Sequence, residues 1–137
     1  MKLCAPIEFY YCVKQARVSR SEVEDMEITC HCGNIVVQAD VPKEIASCNC
    51  SICRRYAAYW AYYSPEQVSV RYLKEPSVFY IWGDKEVEFH RCNLCGCLTH
   101  YVTTEKCDAD IVAINMRMAE EEVLKDIPLR LIDGKRY

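Results

Sequence analysis

The fold is decided by the segment ITCHCGNIVVQA (residues 28–39), in which two cysteines interrupt a strand-like sequence. The stretch Ile35–Ala39 is rich in β-branched residues, and Gly33-Asn34 before it is a turn signal. Residues 28–39 are therefore predicted to form a β-hairpin with Cys30 and Cys32 near its turn. One residue between two cysteines is chelate spacing, because a short turn lets both sulfurs converge on one ion.

Two further clusters have the same character: CNCSIC (residues 48–53) and CNLC (residues 92–95). With CHC (residues 30–32), they supply seven thiols, which divide naturally into four and three. Two pairs from separate hairpins, Cys30 with Cys32 and Cys92 with Cys95, are expected to form a closed structural zinc site. The alternative is that these thiols are free and buried as small hydrophobic groups.

The remaining cluster, Cys48, Cys50 and Cys53, places three thiolates within six residues and predicts a zinc ion with one open position, as catalytic zinc has. Other interpretations remain. The cluster can be a CxxC redox pair with a third cysteine, or the ligands of an iron–sulfur cluster. A fourth protein ligand can also close the site, and the candidates are Cys97, His100, His90 and Cys107.

Basic residues follow this cluster immediately. Three thiolates on Zn²⁺ carry a net charge of about −1, which Arg54 and Arg55 can offset, and an arginine can also hold a substrate carboxylate bidentately. We therefore predict that Asn49, Arg54 and Arg55 contact substrate carboxylate and amide groups. The alternative is that the arginines are solvated surface residues. The aromatic stretch at residues 56–63 is expected to be a core strand, one face of which can line a ligand pocket.

Composition limits the class of protein. The 137 residues are most simply one domain, with 27% charged and 51% hydrophobic residues. A net charge of −3 argues against nucleic-acid binding, and no apolar run is long enough for a membrane span. The 11 cysteines are an odd number, which disfavours a secreted disulfide scaffold and favours metal-bound thiolates in a reducing cytoplasm. The sequence does not indicate an oligomeric state.

The pattern of short strands separated by turns predicts a mainly β sandwich or barrel of antiparallel strands with little helix. Residues 1–25 differ in composition from the rest of the chain and are interpreted as an N-terminal extension, whether native or not. A zinc domain is expected to follow at residues 26–137. A single helix is predicted at residues 117–125. The predicted strands after the hairpin cover residues 57–63, 67–73, 78–82, 87–91, 98–103 and 111–115.

The cysteine pattern resembles the CENP-V/GFA family, named partly for glutathione-dependent formaldehyde-activating enzymes. The matching segments are TCHCG (29–33), CNCSICRR (48–55) and RCNLCG (91–96), with weaker matches at INMR (114–117) and IDG (132–134). The resemblance implies an Mss4-like β fold pinned by two zinc ions. By position it assigns Cys30, Cys32, Cys92 and Cys95 to a structural zinc, and Cys48, Cys50 and Cys53 to a catalytic zinc.

The resemblance also implies a reaction class, in which a carbon–sulfur bond joins glutathione to formaldehyde. The leading hypothesis is thus a zinc-dependent carbon–sulfur lyase acting on an adduct of glutathione, or a similar small thiol, with formaldehyde or another small aldehyde. Two alternatives stay open: a carrier that binds the adduct without catalysis, and a zinc-stabilised interaction module whose second site is closed by Cys97 or His100.

Overall fold

The chain forms a mainly β domain, seen in a computed structural model that describes residues 24–136. A three-stranded antiparallel sheet contains β1 (Asp25–Thr29), β2 (Ile35–Asp40) and β5 (Ser69–Tyr72) in the order β1-β2-β5. The mainly β fold class is therefore confirmed. The predicted hairpin is present as β1 and β2, paired from Asp25–Asp40 to Thr29–Val36.

A second sheet has seven strands in the order β10-β3-β4-β9-β8-β7-β6. Its strands are β3 (Ile45–Cys48), β4 (Trp60–Tyr63), β6 (Val78–Tyr80), β7 (Val87–Arg91), β8 (Leu98–Thr103), β9 (Val112–Asn115) and β10 (Leu129–Ile132). One pairing differs from the expected antiparallel arrangement, because β10 runs parallel to β3 and brings Ile132 opposite Cys48. The C-terminal strand thus ends beside the second cysteine cluster.

Helices are few and short among the described residues. The α-helix α1 (Ser51–Tyr56) follows β3, and α2 (Glu121–Leu124) precedes β10. The prediction of one helix over residues 117–125 is wrong in detail. A 3₁₀ turn, Met116–Met118, stands before α2, and the extended backbone of Ala119 separates them. No described helix is long and apolar enough to cross a membrane.

The larger sheet is buried on both faces, and the alternation along β4 shows this. Ala61 and Tyr63 join a hydrophobic cluster with Ile28 and Val37 of the small sheet. Trp60 lies in a second cluster, with residues of α1 and of β7. Successive strand residues point to opposite faces, so the small sheet covers one face of the larger sheet and α1 lies on the other.

The two hydrophobic clusters also separate the cysteines. Cys30 and Cys92 belong to the cluster between the sheets, whereas Cys50 and Cys53 belong to the cluster on the α1 face. The two thiol groups therefore lie on different faces of the seven-stranded sheet. The predicted extension at residues 1–25 lies outside the described residues, apart from its last two positions.

Candidate functional site

Four cysteine sulfurs converge where two hairpin turns meet. The Sγ atoms of Cys30, Cys32, Cys92 and Cys95 all lie within 4.8 Å of one another. Cys32 Sγ is 3.7 Å from Cys30 Sγ and 3.6 Å from Cys92 Sγ, too far for a disulfide bond of about 2.05 Å. A tetrahedral zinc with Zn–S bonds of about 2.3 Å needs sulfurs about 3.8 Å apart, so this group fits such an ion.

Hydrogen-bond donors surround this four-thiol group. The backbone N–H of Ile35 donates to Cys30 Sγ at 3.2 Å, and Asn34 Nδ2 approaches Cys92 Sγ at 3.6 Å. Asn34 is buried, and its Oδ1 accepts from the backbone N–H groups of residues 74 and 75. Asn34 therefore ties the loop after β5 to the thiol group, a role that the sequence analysis missed although Asn34 directly follows CHCG.

The same polar surroundings favour a thiolate at Cys95, although not at Cys32. The backbone hydrogen bond from Asn34 lowers the pKa of Cys32, but burial and hydrogen bonds with the other three thiols of the group outweigh it and raise that pKa. Burial raises the pKa of Cys95, but hydrogen bonds from the backbone of Cys97 and Cys32 outweigh it and lower that pKa to about 6. Several thiolates within one small volume repel one another unless a cation lies between them. The donor set and its charge thus suit a soft divalent metal ion.

The second group contains three sulfurs, those of Cys48, Cys50 and Cys53, again within 4.8 Å of one another. Cys48 is the last residue of β3, and Cys50 precedes the first residue of α1. Cys53 lies in the first turn of α1, so a strand end and a helix start bring the three thiols together. The helix α1, which supplies this turn, was not among the elements predicted from the sequence.

The three thiols share one negative charge when no cation is present. Hydrogen bonds with the thiols of Cys48 and Cys53 lower the pKa of Cys50 to about 2, against the opposing effect of burial. Hydrogen bonding to Cys50 raises the pKa of Cys48, and hydrogen bonding to Cys48 and to Cys50 raises the pKa of Cys53. Three thiolates at this place therefore require a metal ion, and three sulfur donors fit zinc with one further position.

Within residues 24–136, no other cysteine, histidine, aspartate or glutamate joins this three-thiol group. Cys97 packs into the hydrophobic cluster between the sheets, where the four-thiol group lies. His100 pairs with Ile114 of that same cluster and stacks on His90 at 4.7 Å. Cys107 occupies the turn after β8. In the described chain, none of these four candidates for a fourth ligand lies with the three-thiol group.

A tryptophan contacts the three-thiol group directly. Trp60 Nε1 donates a hydrogen bond to Cys53 Sγ at 3.3 Å, and Trp60 is only 1% exposed. Its indole packs edge-on against Tyr101 with ring centroids 4.8 Å apart. A buried N–H donor next to a metal-ligating sulfur fixes that sulfur and tempers its charge. Residues 56–63 were expected to contribute only a core strand or a pocket wall, so this bond is a new element of the site.

The predicted substrate residues occupy different positions. Arg54 and Arg55 are exposed on α1, and Arg55 Nη1 donates to the backbone carbonyl of Ser51 at 2.6 Å. Asn49 uses both ends of its carboxamide within the chain: Nδ2 donates to Asp133 Oδ1 at 2.8 Å, and Oδ1 accepts from the backbone N–H of Lys135 at 3.0 Å. Contact of these three residues with substrate stays a prediction.

A match to a protein-family model identifies the family of this chain. Residues 25–127 match the family model described as glutathione-dependent formaldehyde-activating enzyme. The chain belongs to this family. The match starts at the first residue of β1 and ends just before β10, so it includes both thiol groups.

A solved structure shows the same fold. It is the crystal structure of a Rhodobacter sphaeroides protein, with a TM-score of 0.62 and 24% sequence identity over 76% of this chain and 99% of that one. At that identity the likeness concerns the fold alone. No curated protein matches this chain.

Proposed function

We propose that this protein is a zinc-dependent enzyme of the carbon–sulfur lyase type, acting on the adduct of glutathione or a similar small thiol with formaldehyde or another small aldehyde. Cys30, Cys32, Cys92 and Cys95 would hold a structural zinc. The observation that carries the proposal is the three-thiol group: it lacks a fourth donor among the described residues and stands beside a complete four-thiol group. Family membership supports the choice of substrate class.

The reaction joins a thiol to an aldehyde carbon. The thiol loses its proton, its sulfur forms a bond to the carbonyl carbon, and the carbonyl oxygen takes up a proton to become a hydroxyl group. Cleavage of the adduct reverses these changes. Zinc bound by Cys48, Cys50 and Cys53 would supply Lewis acidity, which favours the thiolate form of the substrate and polarises the carbonyl.

Residues around the three-thiol group would support this reaction in two ways. Trp60 holds the sulfur of Cys53 through its N–H, so one corner of the donor set keeps its orientation. Arg54 and Arg55 stand on the helix that starts within the thiol group, and their exposed guanidinium groups suit the two carboxylates of glutathione. We propose these arginines as the carboxylate contacts; the carboxamide of Asn49 is already engaged at both ends, by residues 133 and 135.

Exchange spectroscopy by NMR tests the proposal, because the adduct also forms without an enzyme and only the exchange rate reveals catalysis. The zinc-loaded protein should accelerate exchange between free glutathione and its formaldehyde adduct. Cys50→Ala should abolish the acceleration, whereas Cys97→Ala should retain it, because Cys97 lies outside the three-thiol group. Adduct binding without acceleration would indicate a carrier. Neither binding nor acceleration would favour an interaction module.

A further inference from the structure

Gly134 packs directly on the three-thiol group. It is buried, and a Cβ atom at this position would overlap Cys48 Sγ and come within 3.0 Å of Cys50 Cβ. Its φ is not in the left-handed region, unlike those of Gly33, Gly83 and Gly96. The need for glycine at position 134 therefore comes from this contact and not from backbone conformation.

The segment that carries Gly134 is held in place from the middle of the cysteine motif. Asn49 bridges Asp133 and Lys135, the two neighbours of Gly134, with its carboxamide. The backbone N–H of Asn49 also donates to the carbonyl of Ile132 at 3.1 Å. Three hydrogen bonds from one residue thus fix the chain on both sides of the glycine.

We propose that Asn49 is a positioning residue. Its hydrogen bonds to residues 132–135 hold the backbone of Gly134 in contact with Cys48, and this contact sets the position of the Cys48 sulfur in the three-thiol group. The proposal rests on the proposed function, because it assumes that this group holds a metal ion. Substrate then approaches from a direction other than the Gly134 side, since backbone occupies that side of Cys48.

The strand pairing explains how Asn49 can influence the position of the Cys48 sulfur without contacting it. Cys48 and Ile132 are partners in the parallel pairing of β3 with β10, so the segment after β10 arrives beside the segment after β3. Asn49 touches no sulfur of the group in any hydrogen bond of the described chain. Asn49 also neighbours Cys48 and Cys50 in the chain, but the hydrogen bonds of its side chain run to residues 133 and 135, so the side chain acts on the group through the 132–135 segment.

Cobalt(II) titration tests this inference, because sulfur-to-cobalt charge-transfer absorption reports the number and arrangement of thiolates at each site without any assay of activity. Gly134→Ala should weaken cobalt and zinc binding at the three-thiol group about 10-fold or more and change its absorption, leaving the four-thiol group unchanged. Gly83→Ala controls for destabilisation alone: its φ of 60° strains an alanine, but nothing lies within 4 Å of a Cβ there, so it should lower stability and leave metal binding at both thiol groups unchanged.

A second variant keeps the test decisive if Gly134→Ala does not fold. Asn49→Asp sets a carboxylate against that of Asp133, and we expect metal binding at the three-thiol group to weaken about 10- to 100-fold. The double variant Asn49→Asp with Asp133→Asn restores one donor and one acceptor and should recover most of the affinity. Because Asp133 also pairs with Arg136 at 2.8 Å, Arg136→Ala controls for the loss of that exposed ion pair.

The outcomes separate this inference from the proposed function. Two metal ions in the wild type, with unchanged affinity and absorption in both Gly134→Ala and Asn49→Asp, would overturn the positioning role and leave the proposed function standing. A wild type that binds one ion would refute the proposed function and this inference with it. Recovery in the double variant would support the positioning role, since a lost substrate contact would not be restored by a change at Asp133.

Discussion

Replacement of Trp60 by phenylalanine should weaken zinc binding at the three-thiol group while the protein stays folded. The substitution removes the N–H that donates to Cys53 Sγ at 3.3 Å and keeps an aromatic ring in a site that is 1% exposed. A hydrogen bond to a charged acceptor contributes about 1.5–3 kcal/mol. At about 1.4 kcal/mol per tenfold change, zinc affinity should fall about 10- to 150-fold.

Competition with a chromophoric chelator measures this affinity for each zinc ion in turn. Phe89→Leu is the matched control, because Phe89 packs against Trp60 at 6.2 Å between ring centroids and makes no hydrogen bond to sulfur. The control should lower the free energy of unfolding and leave zinc affinity within about threefold of the wild type. Equal losses of affinity in Trp60→Phe and Phe89→Leu would show that aromatic packing, and not the N–H, supports the site.

Three further results are expected. Asn34→Ala should lower the free energy of unfolding by about 3 kcal/mol in chemical denaturation, because three partly buried hydrogen bonds of 2.8, 2.8 and 3.0 Å to residues 74–75 are lost at about 1 kcal/mol each. A loss below about 1 kcal/mol would contradict this role. Burial lowers the pKa of His100 to about 3, whereas a histidine in the unfolded chain has a pKa of about 6.5. The unfolded chain therefore binds more protons than the folded chain, and the free energy of unfolding falls as pH decreases below about 6.5. The stability difference between wild type and His100→Gln should therefore shrink between pH 7.5 and pH 5.5 in denaturation curves, and a constant difference would exclude that titration. Arg54→Ala and Arg55→Ala should each raise KM for the glutathione adduct several-fold more than they lower kcat, and unchanged KM in both would remove the arginines from the substrate site.

The cysteine spacing predicted the main features of the fold because it carries strong local information. The β1–β2 hairpin and the grouping of Cys30 with Cys92 follow from short turns with chelating side chains, and such turns leave few alternatives. The strands β7 and β8 were predicted with their observed bounds for a similar reason, since both are rich in β-branched and aromatic residues.

Two secondary-structure elements that were not predicted from the sequence, α1 and β10, depend on contacts between distant residues or are too short to give a local signal. The helix α1 has only six residues, too few for a periodic pattern, and it ends at Tyr56, before Ala57 in the left-handed conformation with φ of 51°. The strand β10 pairs with β3 across more than 80 residues, which no local signal announces. Gly134 meets Cys48 only because of that pairing, so its contact with the thiol group could not be read from the sequence.

Zinc content and thermal stability of two cysteine variants test most directly the claim that one thiol group holds the fold together and the other serves chemistry. The wild type should contain two zinc ions. Cys50→Ala should contain one and melt close to the wild type, whereas Cys92→Ala should fail to fold or melt far lower. One zinc ion in the wild type, or loss of folding in Cys50→Ala, would contradict the division into a structural and a reactive site.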